Sequence, residues 1–329
     1  SRRSTVFGRS GMVATSQPLA TMAGIRILLK GGNAADAAVA SAAALTVTEP
    51  MSTGLGGDCF VLFYDGVSRK VTALNGSGRA PAQLTLDRVL RAGAGSADFT
   101  FADPYHPLTA TVPGACAGWC DLVQRHGSMP LSEILGPAID LAENGFPVSP
   151  LTAYSWQKSA ARLARTEGGR ILTVGGRGPR PGELFRNPAL AAVLRAVAEG
   201  GRDAFYTGWI AREIASAVQK AGGVMTGEDL ASHSSTWEQP ISTTYRHVRV
   251  WECPPNGQGI AALIALNIVE GTDATAHPAM SAERLHILIE AMRLAFADAR
   301  WYVADPATCS VPVAGLLSKE YAAERRRLI

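Results

Sequence analysis

The sequence predicts an α+β fold with a substantial apolar core. Of its 329 residues 47% are hydrophobic, which is enough to bury a core as one large domain or two modest ones. Helical and strand-like patterns occur in a mixed order: helices first, then a hairpin, a long helical middle, a strand and more helices. Strand and helix do not alternate regularly, so the parallel-sheet folds that bind nucleotides are not expected.

Two helices are predicted near the start of the chain. Pro18 suits the first turn of a helix, apolar residues follow it at helical spacing, and Gly31 begins a glycine pair that ends the helix. Asn33 is a good N-cap for the next helix, and Asp36 favours the positive end of that helix. Because residues 34–45 are almost all alanine and valine, we expect the second helix to be buried.

Strands are predicted in four runs. Residues 11–16 form a short apolar strand, and residues 59–64 and 71–74 are β-rich runs joined by a turn, which is typical of a hairpin. The next segment, residues 75–81, has the sequence NGSGRAP, and its proline prevents any further strand pairing. Residues 245–252 alternate cleanly between polar and apolar side chains and predict one strand.

Most of the remaining chain is predicted to be helical. Helical patterns cover residues 129–145, 187–199, 208–221 and 259–269. A final helix, residues 282–302, carries an apolar stripe at helical spacing, which we expect to pack into the core. The stripe consists of Leu285, Leu288, Ile289, Met292, Ala295, Phe296 and Ala299.

Charge and hydropathy argue against two classes of partner. The net charge is only +3, and the one basic run, residues 325–327, predicts a solvated helix face, so no nucleic-acid partner is expected. No segment is long and apolar enough to span a membrane. The chain begins with Ser1 and not with methionine, and we expect that a preceding segment has been removed.

The five cysteines predict neither a disulfide framework nor a metal site. Their number is odd, they form no CxxC pair, and they have no zinc-like spacing with the six histidines. We therefore expect reduced, mostly buried thiols and a cytoplasmic location, with a periplasmic or secreted location as the alternative.

The residues alone do not supply a complete catalytic set. No Gly-x-Ser-x-Gly elbow is present, and no two histidines have ligand spacing. The turn Gly54–Asp58 precedes a strand and has no following Lys-Ser or Lys-Thr, so a tight turn between two close segments is preferred to a phosphate loop. Arg79 lies in a glycine-bounded loop, where its guanidinium suits a carboxylate. The alternative, an arginine that bonds loop carbonyls, stays open.

Four long segments resemble the γ-glutamyltransferase family, in the family's order. They are residues 31–65 (GGNAADAAVASAAALTVTEPMSTGLGGDCFVLFYD), 111–149, 201–233 and 290–325. The resemblance implies that residues 1–329 are the large subunit of a single domain. It also implies an N-terminal-nucleophile hydrolase fold, a four-layer αββα sandwich completed by a small subunit that is not in this chain.

The resemblance further implies a precursor that cuts itself in two. The small subunit would begin with a threonine whose hydroxyl is the nucleophile and whose α-amine is the base. That threonine is expected beyond Ile329, so no catalytic residue is expected in this chain. No metal or organic cofactor is implied. The expected partners are the small subunit and a small-molecule substrate, and a dimer of heterodimers is a further expectation.

Two segments depart from the pattern of the glutathione-processing members. When this sequence is aligned with the family pattern on Ala80 and Pro81, Ser77 stands at the position of the family's carboxylate-binding arginine. Arg79 comes two residues later. Residues two apart in an extended segment point to the same side, so Arg79 and Ser77 are the predicted substrate-binding residues, beside the Gly54–Asp58 turn. The second departure is PPNGQG at residues 254–259, in place of a Pro-Ser-Ser-Gly-Gly-like stretch.

These departures are similar to a side branch of the family that includes cephalosporin acylases and enzymes acting on oxamate-type amides. They predict an amidohydrolase or acyltransferase for a small acyl or amide substrate that bears a carboxylate. Three alternatives remain open. They are a true γ-glutamyltransferase or glutathione hydrolase, a non-catalytic binding relative, and a scaffold recruited to hydrolysis of a carbon–carbon bond.

Overall fold

A computed structural model describes residues 4–93, 101 and 103–329, so Ser1 lies outside the described residues. The helices are α1 Pro18–Leu29, α2 Ala34–Thr48, α3 Leu86–Arg91, α4 Ala115–His126, α5 Leu131–Asn144, α6 Pro150–Leu163, α7 Glu167–Arg170, α8 Pro188–Tyr206, α9 Trp209–Lys220, α10 Gly227–Ala231, α11 Gly259–Glu270, α12 Ala282–Tyr302, α13 Val313–Leu316 and α14 Lys319–Arg326, with a 3₁₀ turn at Pro107–Thr109. The strands are β1 Cys59–Asp65, β2 Lys70–Gly76, β3 Phe146–Pro147, β4 Leu184–Phe185, β5 Thr236–Glu238, β6 Ile241–Tyr245 and β7 Val248–Glu252. This mixture confirms the predicted α+β class.

The chain divides into two compact units. The first unit comprises Ser1–Cys59 and Gly76–Ser235, and the second comprises Phe60–Asn75 and Thr236–Ile329. The expectation that residues 1–329 form part of one domain stays a prediction.

The first unit is built around the alanine-rich helix α2. Asn33 accepts hydrogen bonds from the backbone N–H groups of Ala35 and Asp36, and the Asp36 carboxylate accepts one from the backbone of Asn33, so the predicted cap is a full capping box. Asp36 is fully buried and also accepts hydrogen bonds from Ser128. Helix α2 packs against α1, α4 and α5, which confirms that it is buried.

Helix α8 is longer than the sequence predicted. The pattern over residues 187–199 is confirmed, but helix continues to Tyr206 after a break at Gly201, whose φ of 59° is non-helical. This extension places Phe205 and Tyr206 among the largest fully buried side chains of the first unit.

The second unit contains a three-stranded sheet in the order β1-β2-β5 and a separate β6–β7 hairpin. The prediction of one strand over residues 245–252 is wrong, because Arg246 and His247 adopt φ values of 49° and 70° and reverse the chain. A period-2 pattern does not detect a two-residue turn that leaves the alternation intact. Residues 11–16, in the first unit, likewise form no strand, although they are apolar.

The buried side of α12 differs in part from the predicted core stripe. This side faces α11 through small side chains, notably Ala291, Ala295 and Ala299. The larger members of the predicted stripe lie on the adjoining side of the helix and are 37–55% exposed: Leu288, Ile289, Met292 and Phe296. The helical periodicity is confirmed, and among the described residues the core contacts of α12 are made on the side that carries these alanines.

The terminal basic run is not a solvated face, which corrects another expectation. Arg325 lies 3.0 Å from the buried carboxylate of Asp298, and the Arg326 Nε donates to the Ile268 carbonyl at 3.0 Å. These arginines fasten α14 to α11 and α12, and only Arg327 is exposed. Within the described part of the chain, no helix has the length and apolar character needed to cross a membrane.

Candidate functional site

The glycine-rich turn Gly54–Asp58 joins two segments that are distant in sequence. The Gly54 carbonyl accepts a hydrogen bond from the Gly57 N–H at 3.1 Å. The Gly57 carbonyl then accepts hydrogen bonds from Gly114 and Ala115, each at 2.9 Å. These donors belong to the start of α4, where helical N–H groups lack partners within the helix. The turn therefore holds the start of a helix, as the tight-turn prediction requires.

The loop that contains Ser77 and Arg79 is fixed through its backbone. The Gly78 N–H donates to the Asp58 carboxylate at 2.9 Å, and the Arg79 carbonyl accepts from the Val112 N–H at 3.0 Å. A Cβ at Gly78 would overlap the Val112 carbonyl. Only glycine permits this backbone approach, which explains why glycine follows Ser77.

Both predicted substrate-binding residues therefore lie on a well-anchored loop. The Arg79 side chain is exposed, whereas Ser77 is half-buried. An exposed guanidinium on a fixed backbone is suited to binding a carboxylate with two parallel hydrogen bonds. That role for Arg79, and a role for Ser77 beside it, stay predictions.

Tyr206 supports the turn before α4 from inside the first unit. Its hydroxyl donates to the Pro113 carbonyl at 2.7 Å and accepts from the Ala117 N–H at 3.1 Å. Burial raises the pKa of Tyr206, so the hydroxyl keeps the proton that it donates. The Tyr206 ring stacks on His233, with ring centroids 5.3 Å apart. The turn before α4 is thus held by Gly57 at one side and by Tyr206 at the other.

His233 is a buried imidazole to which the sequence assigned no role. It is 4% exposed, and its Nε2 has no hydrogen-bond partner among the described residues. Arg202 donates to the His233 carbonyl. Burial, together with the positive charges of Arg202 and Arg79, lowers the pKa of His233, while Asp121 and Asp58 act in the opposite direction. His233 is therefore neutral at pH 7.

None of the five cysteines forms a disulfide bond among the described residues. Cys116, Cys120 and Cys253 are buried, Cys59 is half-buried and Cys309 is exposed. A hydrogen bond with Cys120, together with burial, raises the pKa of Cys116, so this thiol is protonated and is a poor nucleophile. Across residues 4–93, 101 and 103–329, no group of three or more His, Cys, Asp or Glu side chains could hold a metal ion.

A polar network in the second unit joins the two segments that depart from the glutathione-type pattern. The Asn75 Nδ2 donates to the Asn256 Oδ1 at 2.8 Å and to the Glu238 Oε1 at 3.2 Å. Thr236 donates to the same Glu238 oxygen at 2.8 Å. Asn75 is the first residue of the NGSGRAP segment and Asn256 lies in PPNGQG, so this hydrogen bond joins the two asparagines within the second unit. The sequence marked both segments but could not show their contact, because 181 positions separate the two asparagines.

The PPNGQG segment is held by close contacts at its glycines. A Cβ at Gly259 would lie 2.6 Å from the Glu252 carboxylate, and one at Gly257 would lie 3.7 Å from the Phe60 ring. The Glu252 carboxylate thus approaches the first turn of α11, where a negative charge is favoured. Asn256 therefore lies in a segment whose glycines pack against the side chains of Glu252 and Phe60.

Comparison with known proteins identifies the fold and the family. The family model described as Gamma-glutamyltranspeptidase matches residues 20–329. The chain belongs to the gamma-glutamyltranspeptidase family. This result confirms the resemblance drawn from the four sequence segments, and with it the N-terminal-nucleophile hydrolase fold class.

Curated relatives are similar to this chain over almost all of its length. It is 40% identical to the "Glutathione hydrolase-like YwrD proenzyme" of Bacillus subtilis (strain 168), over 97% of this chain and 60% of that protein. It is also 40% identical to the "Acylase ACY 1 proenzyme" of Pseudomonas sp. (strain V22), over 98% of this chain and 59% of that protein. The chain therefore spans about three fifths of the curated relatives that it matches.

Solved structures have the same fold. The cephalosporin acylase from Bacillus halodurans is 45% identical with a TM-score of 0.91, and the match covers 100% of this chain and 61% of that chain. The γ-glutamyltranspeptidase of Helicobacter pylori is 31% identical with a TM-score of 0.90, and there the match covers 99% of this chain and 93% of that chain.

Proposed function

We propose that this chain is the large subunit of a self-processed, two-chain amidohydrolase or acyltransferase. The observation that carries the proposal is the unequal coverage: nearly all of this chain matches about three fifths of relatives named proenzymes. The remaining length of such a precursor would form the small subunit. The 93% coverage of the Helicobacter pylori chain supports the existence of a separate polypeptide of this size.

In the proposed mechanism the small subunit supplies the nucleophile, a threonine at its first position. The threonine hydroxyl oxygen attacks the acyl carbon, and its proton passes to the threonine α-amine. Backbone N–H groups stabilise the oxyanion. The carbon–nitrogen bond then breaks, the leaving amine takes the proton, and an acyl ester remains on the threonine. Attack by water releases a carboxylic acid, whereas attack by an amine completes acyl transfer.

The contribution of this chain is to bind the acyl group. Arg79 would bind a carboxylate at the far end of the acyl chain, on a loop fixed by Asp58 and Val112. Ser77 stands at the position where the glutathione-processing members of the family carry the arginine that binds the glutamyl α-carboxylate. An acyl group that ends in a carboxylate, such as glutaryl, would suit this arrangement. The likeness to two acylases at 40% and 45% identity supports an acyl substrate.

The test compares glutaryl and γ-glutamyl p-nitroanilides as substrates of the full-length protein. We expect a higher kcat/KM for the glutaryl compound. Replacing Arg79 with alanine removes a charged hydrogen-bonding partner worth about 1.5–3 kcal/mol, so KM for this substrate should rise by roughly tenfold to a hundredfold. Arg88→Ala, an exposed arginine on α3, serves as the matched control and should leave KM unchanged. An unchanged KM in Arg79→Ala would remove Arg79 from the site.

A true γ-glutamyltransferase is the second candidate function. It is favoured by the name of the Bacillus subtilis relative, glutathione hydrolase-like, at 40% identity. In the same assay this enzyme would prefer the γ-glutamyl anilide, and a dipeptide acceptor would stimulate it. Turnover of neither anilide by a processed protein would favour a non-catalytic relative or another type of bond, including a carbon–carbon bond.

The cytoplasm is the proposed location, and a dimer of heterodimers is the proposed assembly. The five free thiols support a reducing compartment. Fractionation of cells that express the full gene tests the location, and light scattering of the purified protein tests the assembly.

A further inference from the structure

A cavity in the second unit borders the PPNGQG segment, to which the proposed function gives no role. Its volume is about 490 Å³, which is the usual size of a site for a small molecule. Three parts of the chain border it: the end of β5, the start of the PPNGQG segment and the loop that follows α12. Its walls include Glu238, Gln239, Pro254, Pro255, Cys309 and Val311. The prolines and the valine give the cavity an apolar wall, and Glu238 brings a charge to it.

The Glu238 carboxylate is held in one orientation by neutral donors. Its Oε1 accepts hydrogen bonds from the Thr236 hydroxyl at 2.8 Å and from the Asn75 side-chain amide at 3.2 Å. These donors orient the carboxylate but do not cancel its negative charge. None of the described residues that line the cavity is a lysine or an arginine. The cavity therefore carries a fixed negative charge beside an apolar wall.

The thiol of Cys253, which precedes Pro254, responds to the same charge. Burial raises the pKa of Cys253, and the negative charges of Glu252 and Glu238 raise it further, to about 11. The negative potential of these carboxylates thus extends to the segment that forms one wall of the cavity.

The loop on the other side of the cavity is held by its own turn. The Asp305 carbonyl accepts hydrogen bonds from the backbone N–H groups of Thr308 and Cys309, at 3.0 Å and 3.1 Å. The Asp305 carboxylate accepts another from the Ala307 N–H at 2.9 Å. This turn fixes the backbone at Cys309, whose thiol is exposed. Because Cys309 lines the cavity, the reactivity of its thiol reports whether the cavity is occupied.

We propose that this cavity binds a small organic ammonium ion, that is, a protonated amine on a short apolar body. The ammonium group donates to the Glu238 carboxylate, and a charge-assisted hydrogen bond of this kind is stronger than a neutral one. The apolar body packs on Pro254, Pro255 and Val311. A ligand with a carboxylate in place of the amine is repelled by Glu238. The proposal does not depend on the proposed acyl transfer, because it concerns binding within the second unit alone.

The experiment measures alkylation of Cys309 by iodoacetamide in the native full-length protein, read out by peptide mapping. Like the lysine side chain, n-butylamine is protonated at pH 7. It should slow the alkylation in a saturable way, whereas n-butanol and butyrate at the same concentrations should not. Equal protection by butyrate or n-butanol, no protection by n-butylamine, or a Cys309 thiol that does not react in the native protein would each overturn the proposal.

A charge-removing variant tests the role of Glu238. Glu238→Gln keeps an oxygen that accepts the hydrogen bonds from Thr236 and Asn75 but removes the charge. Half-maximal protection of Cys309 should therefore need about tenfold more n-butylamine, or a larger excess. The matched control is Glu320→Gln, because Glu320 is an exposed residue of α14 that does not line the cavity, and it should leave the protection unchanged. Equal protection in Glu238→Gln and the wild-type protein would remove Glu238 from the site.

Two charged reagents test the wild-type protein, so the result does not depend on the folding of a variant. A cation, 2-aminoethyl methanethiosulfonate, and an anion, 2-sulfonatoethyl methanethiosulfonate, each form a mixed disulfide with a thiolate and release methanesulfinate. Cys309 should prefer the cation by about tenfold or more, relative to the ratio of the two rates with free 2-mercaptoethanol, and added salt should reduce this preference. A ratio equal to that of 2-mercaptoethanol would contradict a negatively charged cavity.

Discussion

At the scale of single residues, His233 makes the stability of the protein dependent on pH. Its folded-state pKa lies below the ordinary value of 6.5, chiefly because the imidazole is buried, and also because Arg202 and Arg79 lie nearby. The unfolded chain therefore binds more protons than the folded chain between that lowered pKa and 6.5. The contribution of His233 to stability is complete above pH 6.5, and it is lost as the pH falls through this window.

The prediction is measured as the free energy of unfolding in urea at pH 7.5 and pH 5.5. His233→Gln, which cannot take up a proton, should lose less stability between the two pH values than the wild-type protein loses. The matched control is His247→Asn, since His247 is exposed in a turn with a positive φ that asparagine tolerates. Identical pH dependence in the wild-type protein and His233→Gln would show that the imidazole does not titrate in this window.

Only some residues of the candidate site could be predicted from the sequence. Arg79 and Ser77 can be predicted as substrate-binding residues from the sequence, because glycines flank them and their segment resembles the corresponding segment of the family. Asn75 and Asn256 stand in the segments that the sequence marks, but their hydrogen bond depends on the pairing of β2 with β5 and on the turn before α11. His233 carries no local signal, since its burial and its charged neighbours come from α4, α8 and two loops.

At the scale of elements, the Arg79 loop depends on a glycine contact. A Cβ at Gly78 would overlap the Val112 carbonyl, and neither backbone can move without breaking the hydrogen bond between Arg79 and Val112. Gly78→Ala should therefore destabilise the protein by about 1–3 kcal/mol, the usual cost of forcing extra volume into a packed site. Gly66→Ala is the control, because a Cβ at Gly66 meets nothing within 4 Å. Equal urea midpoints for the two variants would show that the loop is not held in this way.

The elements that the sequence predicts best are those with end signals as well as periodicity. Asn33 with Asp36 set the start of α2, and Gly145 with a φ of 91° follows the end of α5. The β6–β7 hairpin escapes prediction because its turn residues, Arg246 and His247, are not typical of a tight turn. For α12 the predicted helix is confirmed. Its predicted core stripe is correct at Ala295 and Ala299, which are buried, and wrong at the larger residues Leu288, Ile289, Met292 and Phe296, which are exposed.

At the scale of the whole molecule, the family assignment explains why the sequence contains no complete catalytic set. The chain spans about three fifths of proenzyme relatives. We propose that the chain supplies the substrate loop and that the nucleophile comes from the remainder of the precursor.

The most direct test of this account is the intact mass of the purified product of the full gene, measured under denaturing conditions. We expect two species whose masses add up to that of the precursor plus one water molecule, the smaller one fitting a fragment that begins with threonine. We propose that the same threonine hydroxyl also cuts the precursor, so replacing that threonine with alanine should leave a single uncut chain. A single uncut polypeptide that hydrolyses the glutaryl anilide would contradict the proposal that the enzyme is a self-processed protein of two chains.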